Sequence, residues 1–386
     1  MPLQASSSSH FLSNLFLNSH LKESDVNTQT ELEQLCERLK SYPRLALDTE
    51  FERRNTYYPI LALLQIASDE ELVLIDPLEI KDWRPFAELL QGDVTIVMHS
   101  CSEDLEVFRR YFDSQPSHLI DTQIACAFLG KGDALGYANM VSTLRGIELD
   151  KSETRSDWLQ RPLSPAQRTY AREDVRWLLG IYAELEEELR ASGRFDWVVQ
   201  ECDAMRDKYL QEPRPEQQWL RVKGLGRTNP DCWPFVYALV DWRENLSRRL
   251  DKPRGWMMKD PELLEIATKK PTTLQQLSEI RGVTPTTLRR NSQAILEIIN
   301  TDELEQPPNQ PVPDLEPEQR ALLKHLQKVV NDKSEELALS ARFIANKNDL
   351  SELIQYKAGR VQISSSLLQG WRFELLGAEL EKLCEQ

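Results

Sequence analysis

Hydrophobic and polar positions divide the first half of the chain into segments of strand and helix length. Four short apolar runs predict strands, namely RLALDTEF, ILALLQIAS, LVLIDP and TIVMHS. The first three follow one another across turn-like connections, which favours an antiparallel meander, whereas a helical pattern precedes the fourth and favours parallel pairing. Amphipathic stretches predict helices at TELEQLCERLKSY, WRPFAELLQ, SEDLEVFRRYF and PAQRTYAREDVRWLLGIYAELEEELRASG. Residues 25–212 are therefore expected to form one α/β domain around a mixed sheet.

The rest of the chain has a helical pattern that proline-rich segments interrupt twice. The predicted organisation is a linker at 213–230, a small helical bundle at 231–301, a second linker at 302–313 and a second small bundle at 314–386. The segment WMMKDPELLEI, which begins at Trp256, aligns with FIANKNDLSEL, which begins at Phe343. This alignment indicates a diverged repeat.

The first 24 residues are predicted to be an N-terminal extension. Their start has no basic n-region, and Asn14 interrupts their short apolar part, so we do not expect a signal peptide. The six cysteines lack C-x-x-C spacing and the five histidines form no H-E-x-x-H motif, which predicts free thiols and no zinc site. No apolar stretch has membrane-spanning length. We expect a cytoplasmic protein without a membrane partner.

The net charge of −15 argues against a nucleic-acid partner when it is taken as a single number. The charge is uneven, however. Residues 231–300 carry 11 Lys and Arg against 9 Asp and Glu, whereas residues 301–386 carry 10 against 15. An acidic first domain can still bind phosphates if some of its acids hold divalent cations.

Two acids stand at the end of the first predicted strand. Asp48 and Glu50 are two residues apart, so their side chains point to the same face of a strand. Two such carboxylates repel each other, and burial adds to the cost of charging them. Ser100 and Glu103 have the spacing of a capping box after the fourth strand, which places Asp104 in the first turn of a helix.

A third cluster lies on a predicted helix, where Tyr170 and Asp174 are four residues apart and share one face. Each of these acids has an ordinary explanation, such as a solvated loop, a helix-dipole contact or a half-exposed pair. Their joint occurrence favours two-metal phosphodiester cleavage, because hard cations take oxygen ligands and two ions roughly 4 Å apart assist an in-line displacement. Such cations would neutralise the paired acids.

These motifs resemble the ribonuclease D branch of the DEDD 3′–5′ exonucleases over residues 25–210. The three exonuclease motifs look like LALDTEFERRNTYYPILALLQIA, VMHSCSEDLEVF and YAREDVRWLL, the last with the spacing of the tyrosine-bearing subclass. The resemblance implies an RNase H-like fold and two divalent ions, Mg²⁺ or Mn²⁺, held by Asp48, Glu50, Asp104 and Asp174. It also implies that Tyr170 orients the attacking water and that nucleoside 5′-monophosphates are released.

The helical segments resemble HRDC domains, a module shared by helicases and ribonuclease D. ALVDWRENLSRRLDKPRGWMMKDPELLEIATKKPTTLQQLSEIRGV is similar to one such domain, and ARFIANKNDLSELIQYKAGRVQISSSLLQGWRFELLGAELEKL is a fainter match. The expected fold class is thus α/β plus all-α, an RNase H-like mixed-sheet exonuclease domain followed by two small helical HRDC bundles.

Substrate contacts are predicted beside the acids and in the first bundle. Thr49 and Phe51 flank the ligands, although Phe51 reaches their face only if the strand end twists. His99 ends the fourth strand, where it either approaches the substrate or is a satisfied, partly buried side chain. A basic face is predicted to grip RNA, with Trp256 expected in the core. It comprises Arg248, Arg249, Lys252, Arg254, Lys259, Arg289 and Arg290.

The leading function is a 3′–5′ exoribonuclease that trims structured RNA, with transfer-RNA precursors and other small structured RNAs as the substrates that the resemblance implies. The motifs leave open a DNA 3′–5′ exonuclease, since the metals act on the phosphodiester and not on the 2′-OH. A non-catalytic nucleic-acid adaptor is a further alternative, as is a purely structural helical protein. A monomer is expected because no heptad pattern is present.

Overall fold

The computed structural model describes residues 21–312, 314–361 and 365–385. The chain forms two compact units. Unit 1 comprises residues 21–52, 59–211 and 330–344 of the described chain, and unit 2 comprises residues 53–58, 212–329 and the remainder from 345. Residues 1–20 of the predicted extension lie outside the described residues. No helix in the described part of the chain is both long and apolar enough to cross a membrane.

Unit 1 is built around a six-stranded sheet with the order β1-β4-β3-β2-β5-β6. The strands are β1 (Lys22–Val26), β2 (Arg44–Glu52), β3 (Ile60–Ala67), β4 (Glu71–Ile75), β5 (Thr95–Met98) and β6 (His118–Asp121). Strands β2, β3 and β4 pair antiparallel, as the sequence predicts, and β5 lies parallel to β2. Strands β1 and β6 add parallel edges. The sheet is therefore mixed, in agreement with the predicted fold class.

Helices cover the sheet. They are α1 (Gln29–Leu39), α2 (Arg84–Gln91), α3 (Asp104–Phe112), α4 (Thr122–Phe128), α5 (Tyr137–Arg145), α6 (Pro165–Arg176), α7 (Leu178–Ala191) and α8 (Phe195–Lys208). Helices α1, α2, α3, α6 and α7 fall in the predicted segments, whereas α4, α5 and α8 were not predicted. Helix α6 lies against β2, β3 and β4, and α3 lies against β2 and β3. Because both faces are covered, the central strands are almost continuously apolar; all five residues of β4 are buried.

Three details of unit 1 differ from the sequence prediction. Strand β1 begins inside the segment predicted as an extension, although only Val26 of its five residues is buried. Strand β6 has four residues and lies between two helices, so it carries little periodic signal. The long helix predicted from Pro165 is divided at Trp177 into α6 and α7.

Unit 2 is helical. Its helices up to residue 300 are α9 (Pro215–Gln218), α10 (Trp233–Leu250), α11 (Arg254–Met257), α12 (Asp260–Lys269), α13 (Leu274–Ser278) and α14 (Pro285–Ile299). The segment 213–230 differs from the predicted linker, because Trp219, Val222 and Leu225 are buried in the same apolar cluster as the helices that follow. Residues 302–312, in contrast, contain neither helix nor strand.

The C-terminal part supports the predicted repeat. Its helices are α15 (Pro317–Leu337), α16 (Ala341–Ile344), α17 (Lys347–Lys357), α18 (Gly370–Arg372) and α19 (Ala378–Leu383), with a π-helical turn at Phe373–Gly377. Helices α12 and α17 begin at Asp260 and Lys347, which is the 87-residue offset of the sequence alignment. Leu263 and Leu350 are equivalent in that alignment, and both are buried.

Candidate active site

Strand β2 and helix α6 bring three carboxylates together. Carboxylate oxygens of Asp48, Glu50 and Asp174 all lie within 4.8 Å of one another. Asp48 and Glu50 share one face of β2, and Asp174 comes from α6, which packs on that face. The structure thus brings together two acids from the first motif and one from the third. An all-oxygen group of this kind matches the donor preference of hard divalent cations.

Asp104 is close to this group but does not belong to the three-carboxylate cluster. It is buried in the first turn of α3, and its Oδ1 accepts a hydrogen bond from the hydroxyl of Thr49. Thr49 lies between Asp48 and Glu50 on β2, and its side chain points to the opposite face. The structure therefore shows Thr49 as a buried positioning residue for Asp104, whereas its predicted contact with substrate stays a prediction.

The turn that places Asp104 is held by a residue that the sequence reasoning missed. Asp121, at the end of β6, is buried, and its Oδ1 accepts from the backbone N–H of Ser100 at 3.0 Å and of Gln123 at 2.7 Å. Its Oδ2 accepts from Cys101 N–H at 2.9 Å. The predicted capping box is wrong, because Ser100 has a positive φ of 58° and Glu103 is the residue before the helix.

The electrostatics of the four carboxyls favour a bound cation. Burial, together with Asp104, Asp174 and Glu50, raises the pKa of Asp48 well above its ordinary value. Burial and the neighbouring acids raise the pKa of Glu50 to about 9, and burial raises that of Asp174 to about 8. The pKa of Asp104 rises to about 7 through burial, against the opposing hydrogen bond from Thr49. Positive charge among these groups would restore all four to carboxylates.

Tyr170 lies one turn before Asp174 on α6, as the four-residue spacing predicts. Its hydroxyl is 3.4 Å from that of Thr154, and its ring packs against Trp158 with 5.8 Å between centroids. Burial raises the pKa of Tyr170, with Asp174, Glu50 and Asp48 contributing in the same direction. The phenol is therefore protonated at neutral pH and close to the acidic group.

His99 shows the arrangement of a satisfied side chain. Its Nε2 donates to the carbonyl of Leu135 at 2.8 Å, and its Nδ1 is 2.9 Å from the hydroxyl of Thr122. Burial lowers the pKa of this imidazole. Phe51 follows a register shift between Glu50 and Phe51 in the β2–β3 pairing, which is the irregularity that a contact from Phe51 requires. Substrate contacts of both residues stay predictions.

A buried amide lies next to Asp48 and was not found from the sequence. Gln65 is the direct cross-strand partner of Asp48 on β3, so both side chains share one face of the sheet. Gln65 is 0% exposed, and neither its Oε1 nor its Nε2 has a hydrogen-bond partner among the described residues. An unsatisfied buried amide at this position is consistent with a polar ligand at the acidic group.

The predicted basic face of unit 2 is only partly accessible. Arg248 and Arg254 donate to the hydroxyl of Tyr57 at 3.2 Å and 3.1 Å, and Arg254 also pairs with the buried Glu244. Lys252 is half-buried, and its Nζ donates to the carbonyl of Asn55. The remaining members are exposed, namely Arg249, Lys259, Arg289 and Arg290.

Trp256 was expected in the core, and this prediction is wrong. Its side chain is 59% exposed, because it lies on the one-turn helix α11, in which none of the four residues is buried. The apolar core of unit 2 instead contains Met258, two residues further on.

Comparison with family models finds one exonuclease segment followed by two HRDC segments. Residues 24–190 match the 3′–5′ exonuclease family, residues 235–299 match the HRDC domain, and residues 317–380 match the C-terminal HRDC domain of ribonuclease D. These matches confirm the predicted fold class, an exonuclease domain with a mixed sheet followed by helical HRDC domains.

Curated relatives match over nearly the whole chain. Ribonuclease D of Pseudomonas paraeruginosa is 36% identical over 92% of this chain and 96% of its own length. Ribonuclease D of Escherichia coli is 34% identical over 94% of this chain and 98% of its own length. The crystal structure of Escherichia coli RNase D, described as an exoribonuclease involved in structured RNA processing, superposes with a TM-score of 0.88 over 95% of this chain and 99% of that one.

Proposed function

The chain belongs to the ribonuclease D family and is a 3′–5′ exoribonuclease, and from this premise we propose that it removes nucleotides from structured RNA with two divalent cations held by its four carboxylates. The observation that carries the proposal is the approach of Asp48, Glu50 and Asp174 to within 4.8 Å of one another. Three acids at that separation cannot all stay ionised without a compensating charge.

The family fold implies dependence on a divalent metal, and the residues fit this requirement. Asp48, Glu50 and Asp174 would hold one cation, and Asp48 with Asp104 would hold the second. Bound cations of this type activate a water and stabilise the leaving 3′ oxygen. The separation of Asp104 from the three-carboxylate cluster supports this division. Mg²⁺ and Mn²⁺ both suit the oxygen donors.

The roles of the remaining site residues follow from their positions. Tyr170 would orient the attacking water through its protonated hydroxyl, one helical turn from Asp174. Thr49 would keep Asp104 charged and in place. The product would be a nucleoside 5′-monophosphate, and the 3′ end would then be one residue shorter.

Transfer-RNA precursors and other small structured RNAs are the proposed substrates, since the Escherichia coli relative is described as acting in structured RNA processing. A monomeric state and a cytoplasmic location stay predictions of the sequence. Preference for RNA over DNA at the site also belongs to the proposal, because the described carboxylates act on the phosphodiester and not on the sugar.

The test is a gel time course on 5′-labelled transfer RNA with a 3′ extension and on single-stranded DNA of matched length. Each substrate is incubated with Mg²⁺, with Mn²⁺ and with EDTA, using the parent chain and Asp48→Asn. We expect a ladder that shortens from the 3′ end of the RNA and that EDTA and Asp48→Asn both abolish. Glu37→Gln, which removes an exposed acid of α1, is the control and should retain full activity.

Other outcomes of this assay would favour a different function or contradict the proposed active site. Faster loss of DNA than of RNA would favour the DNA exonuclease. Binding of RNA without nucleotide release under any metal would favour a non-catalytic adaptor. Activity that persists in Asp48→Asn would contradict the proposed role of the acidic group.

A further inference from the structure

We propose that Tyr137 is a positioning residue for the acidic site, because its hydroxyl is inserted into the hydrogen-bond ladder of the helix that carries Asp174. The inference rests on the proposed function, since it concerns how one of the proposed metal ligands is held in place. It assigns a role to a side chain that lies outside the three exonuclease motifs. The contacts that carry it all lie within unit 1.

The helix predicted from Pro165 is interrupted at a single residue. Trp177 lies between α6 and α7, and its φ and ψ of −95° and −8° differ from the helical values of about −63° and −42°. In an uninterrupted helix, the N–H of Trp177 would donate to the carbonyl of Glu173, four residues before it. Helices bend sharply where another group enters this ladder. The break therefore points to a group between this N–H and this carbonyl.

The hydroxyl of Tyr137, the first residue of α5, occupies that position. It donates to the carbonyl oxygen of Glu173 at 2.8 Å, and it accepts from the backbone N–H of Trp177 at 3.4 Å. One hydroxyl thus serves both groups that the break leaves without each other. The carbonyl of Glu173 belongs to the peptide unit that contains the nitrogen of Asp174. The bond from Tyr137 therefore fixes the backbone from which the Asp174 side chain emerges.

The Tyr137 hydroxyl keeps its proton and stays a donor. Burial raises the pKa of Tyr137 well above its ordinary value, with Asp174 and Glu173 contributing in the same direction against the hydrogen bond from the Trp177 N–H. The contribution from Asp174 also shows that the phenol lies within electrostatic range of that carboxyl. The hydrogen bond to the Glu173 carbonyl should therefore persist over the whole pH range in which the site is active.

The last turn of α6 is held through its side chains as well. Oε1 of Glu173 accepts from Arg176 Nε at 2.6 Å, and its Oε2 accepts from the indole Nε1 of Trp177 at 2.9 Å. These contacts lie within the turn and its flanking residue. The bond from Tyr137 to the Glu173 carbonyl, in contrast, ties the turn to α5. A shift of α5 or loss of the hydroxyl should therefore change where Asp174 lies.

Tyr137 is supported in turn from the end of β5. Its ring packs edge to face against the imidazole of His99, with 5.7 Å between centroids and 63° between planes. His99 Nε2 donates to the carbonyl of Leu135 at 2.8 Å, and the amide of Gln123 donates to the same carbonyl at 3.1 Å. Metal ligands are oriented by such supporting contacts. His99 can thus act on the site through Tyr137, without contact to RNA.

The test uses Tyr137→Phe, which keeps the ring and its packing on His99 and removes only the hydroxyl. In the metal-free chain, hydrogen exchange of the Trp177 N–H should become about tenfold faster, because one hydrogen bond is lost. The Mn²⁺ dissociation constant, measured without RNA from the EPR signal of free Mn²⁺, should rise on the order of tenfold, as is typical for residues that orient metal ligands. Saturating Mn²⁺ should restore most of kcat, with KM for RNA changed by less than about twofold.

Two controls separate position from stability. Tyr182→Phe removes the hydroxyl of a buried tyrosine on α7, beyond the break, and should bind Mn²⁺ like the parent. Leu89→Val removes a buried methylene from α2 and should lower the melting temperature without changing the Mn²⁺ affinity. Thermal unfolding of the metal-free protein is recorded for every variant. If Leu89→Val weakens Mn²⁺ binding as much as Tyr137→Phe, the effect reflects lost stability and the inference is overturned.

Unchanged Mn²⁺ affinity in Tyr137→Phe would also overturn the inference, because the hydroxyl would then serve only the stability of the fold. If the parent neither binds Mn²⁺ nor cleaves RNA, the proposed function is at fault, and exchange of the Trp177 N–H still decides whether Tyr137 holds the turn. If the parent does both and the variant equals it in exchange and in Mn²⁺ binding, only the role of Tyr137 is refuted.

Discussion

At the scale of single residues, the hydroxyl of Thr49 determines how readily Asp104 takes its charged form. The hydrogen bond from Thr49 lowers the pKa of Asp104, which burial raises to about 7. Thr49→Val keeps the shape but removes the donor, so the pKa of Asp104 should rise further. A hydrogen bond to a charged group is worth about 1.5–3 kcal/mol. Magnesium activation at pH 7 should therefore need on the order of tenfold more Mg²⁺.

The pH dependence of activity distinguishes the loss of this hydrogen bond from a general distortion of the active site. Because the Asp104 carboxyl would only be harder to ionise, Thr49→Val should recover towards parental activity as the pH rises from 7 to 9. Thr49→Ser retains the donor and serves as the control at every pH. The prediction is checked by Mg²⁺ titrations of the initial rate, and a Thr49→Val enzyme that is equally impaired at pH 7 and pH 9 would contradict it.

Tyr170 should act on the chemical step and not on RNA binding. Tyr170→Phe removes the hydroxyl proposed to orient water, and contributions of this kind are typically worth about 100-fold or more. We expect kcat to fall by about 100-fold with KM changed by less than about twofold. Since burial raises the pKa of the Tyr170 phenol above its ordinary value, the parent should show no pH limb from this group below pH 9.

The control for Tyr170 is another hydroxyl in unit 1. Tyr42→Phe removes the bond from Tyr42 to the exposed carboxylate of Glu70, and single-turnover rates of this variant should equal those of the parent. If Tyr170→Phe raises KM and leaves kcat unchanged, the residue contacts the RNA and does not orient the water.

At the scale of structural elements, the β5–α3 turn depends on Asp121. Its carboxylate accepts backbone N–H groups from both Ser100 and Cys101 and from the start of α4. Asp121→Asn replaces one acceptor oxygen by a donor that faces N–H groups, so we expect a loss of about 2–3 kcal/mol in the free energy of unfolding. For a unit of this size, the melting temperature should fall by roughly 5–10 °C.

The opposite end of helix α3 offers the control for this prediction. Asp113 ends α3 in a left-handed conformation that asparagine tolerates well, and it is exposed. Asp113→Asn should leave the melting temperature within about 1 °C of the parent in differential scanning calorimetry. A similar small change for Asp121→Asn would show that the five-residue turn between β5 and α3 is held by other contacts.

The sequence predicted elements well where periodicity was strong. The meander β2–β4, the helices α1, α2 and α3 and the approach of Asp48, Glu50 and Asp174 follow from apolar runs and from spacing, because a strand end or a helix face determines where such side chains emerge. Strand β1 was missed because only one of its five residues is buried, and β6 was missed because four residues between two helices carry little periodic signal. The role of Asp121 depends on a turn between distant segments, and no local pattern indicates such a contact.

In unit 2, two predictions made from local sequence patterns are wrong because tertiary packing decides the structure there. Prolines and glycines at 213–230 indicated a linker, yet Trp219 and Val222 are buried in the core of unit 2. Tertiary packing thus overrides the turn chemistry of the segment. Trp256 was assigned to the core by its residue type, but it lies on a one-turn helix whose residues all remain outside the core.

At the scale of the whole molecule, the acidic site should make stability depend on pH and on metal together. Glu50, Asp174 and Asp104 have pKa values of about 9, 8 and 7 in the folded chain, all above their unfolded values. The metal-free folded state therefore binds more protons than the unfolded state between pH 5 and pH 9. The contribution of these groups to stability is full at low pH and is lost as the pH rises through the folded pKa values.

Divalent cations should reverse this loss of folding stability at high pH, because they bind the carboxylates and displace the protons. We expect Mn²⁺ or Mg²⁺ to raise the melting temperature more at pH 8.5 than at pH 6, with EDTA-treated protein as the reference at each pH. Asp48→Asn/Glu50→Gln removes two of the four charges, so it should melt higher than the parent in EDTA at pH 8.5 and gain little from metal. All other titrating groups are shared, so the difference between parent and variant isolates the acidic site. If the two proteins lose stability in parallel between pH 6 and pH 8.5, the four carboxyls are not the groups that couple folding to protons and metal.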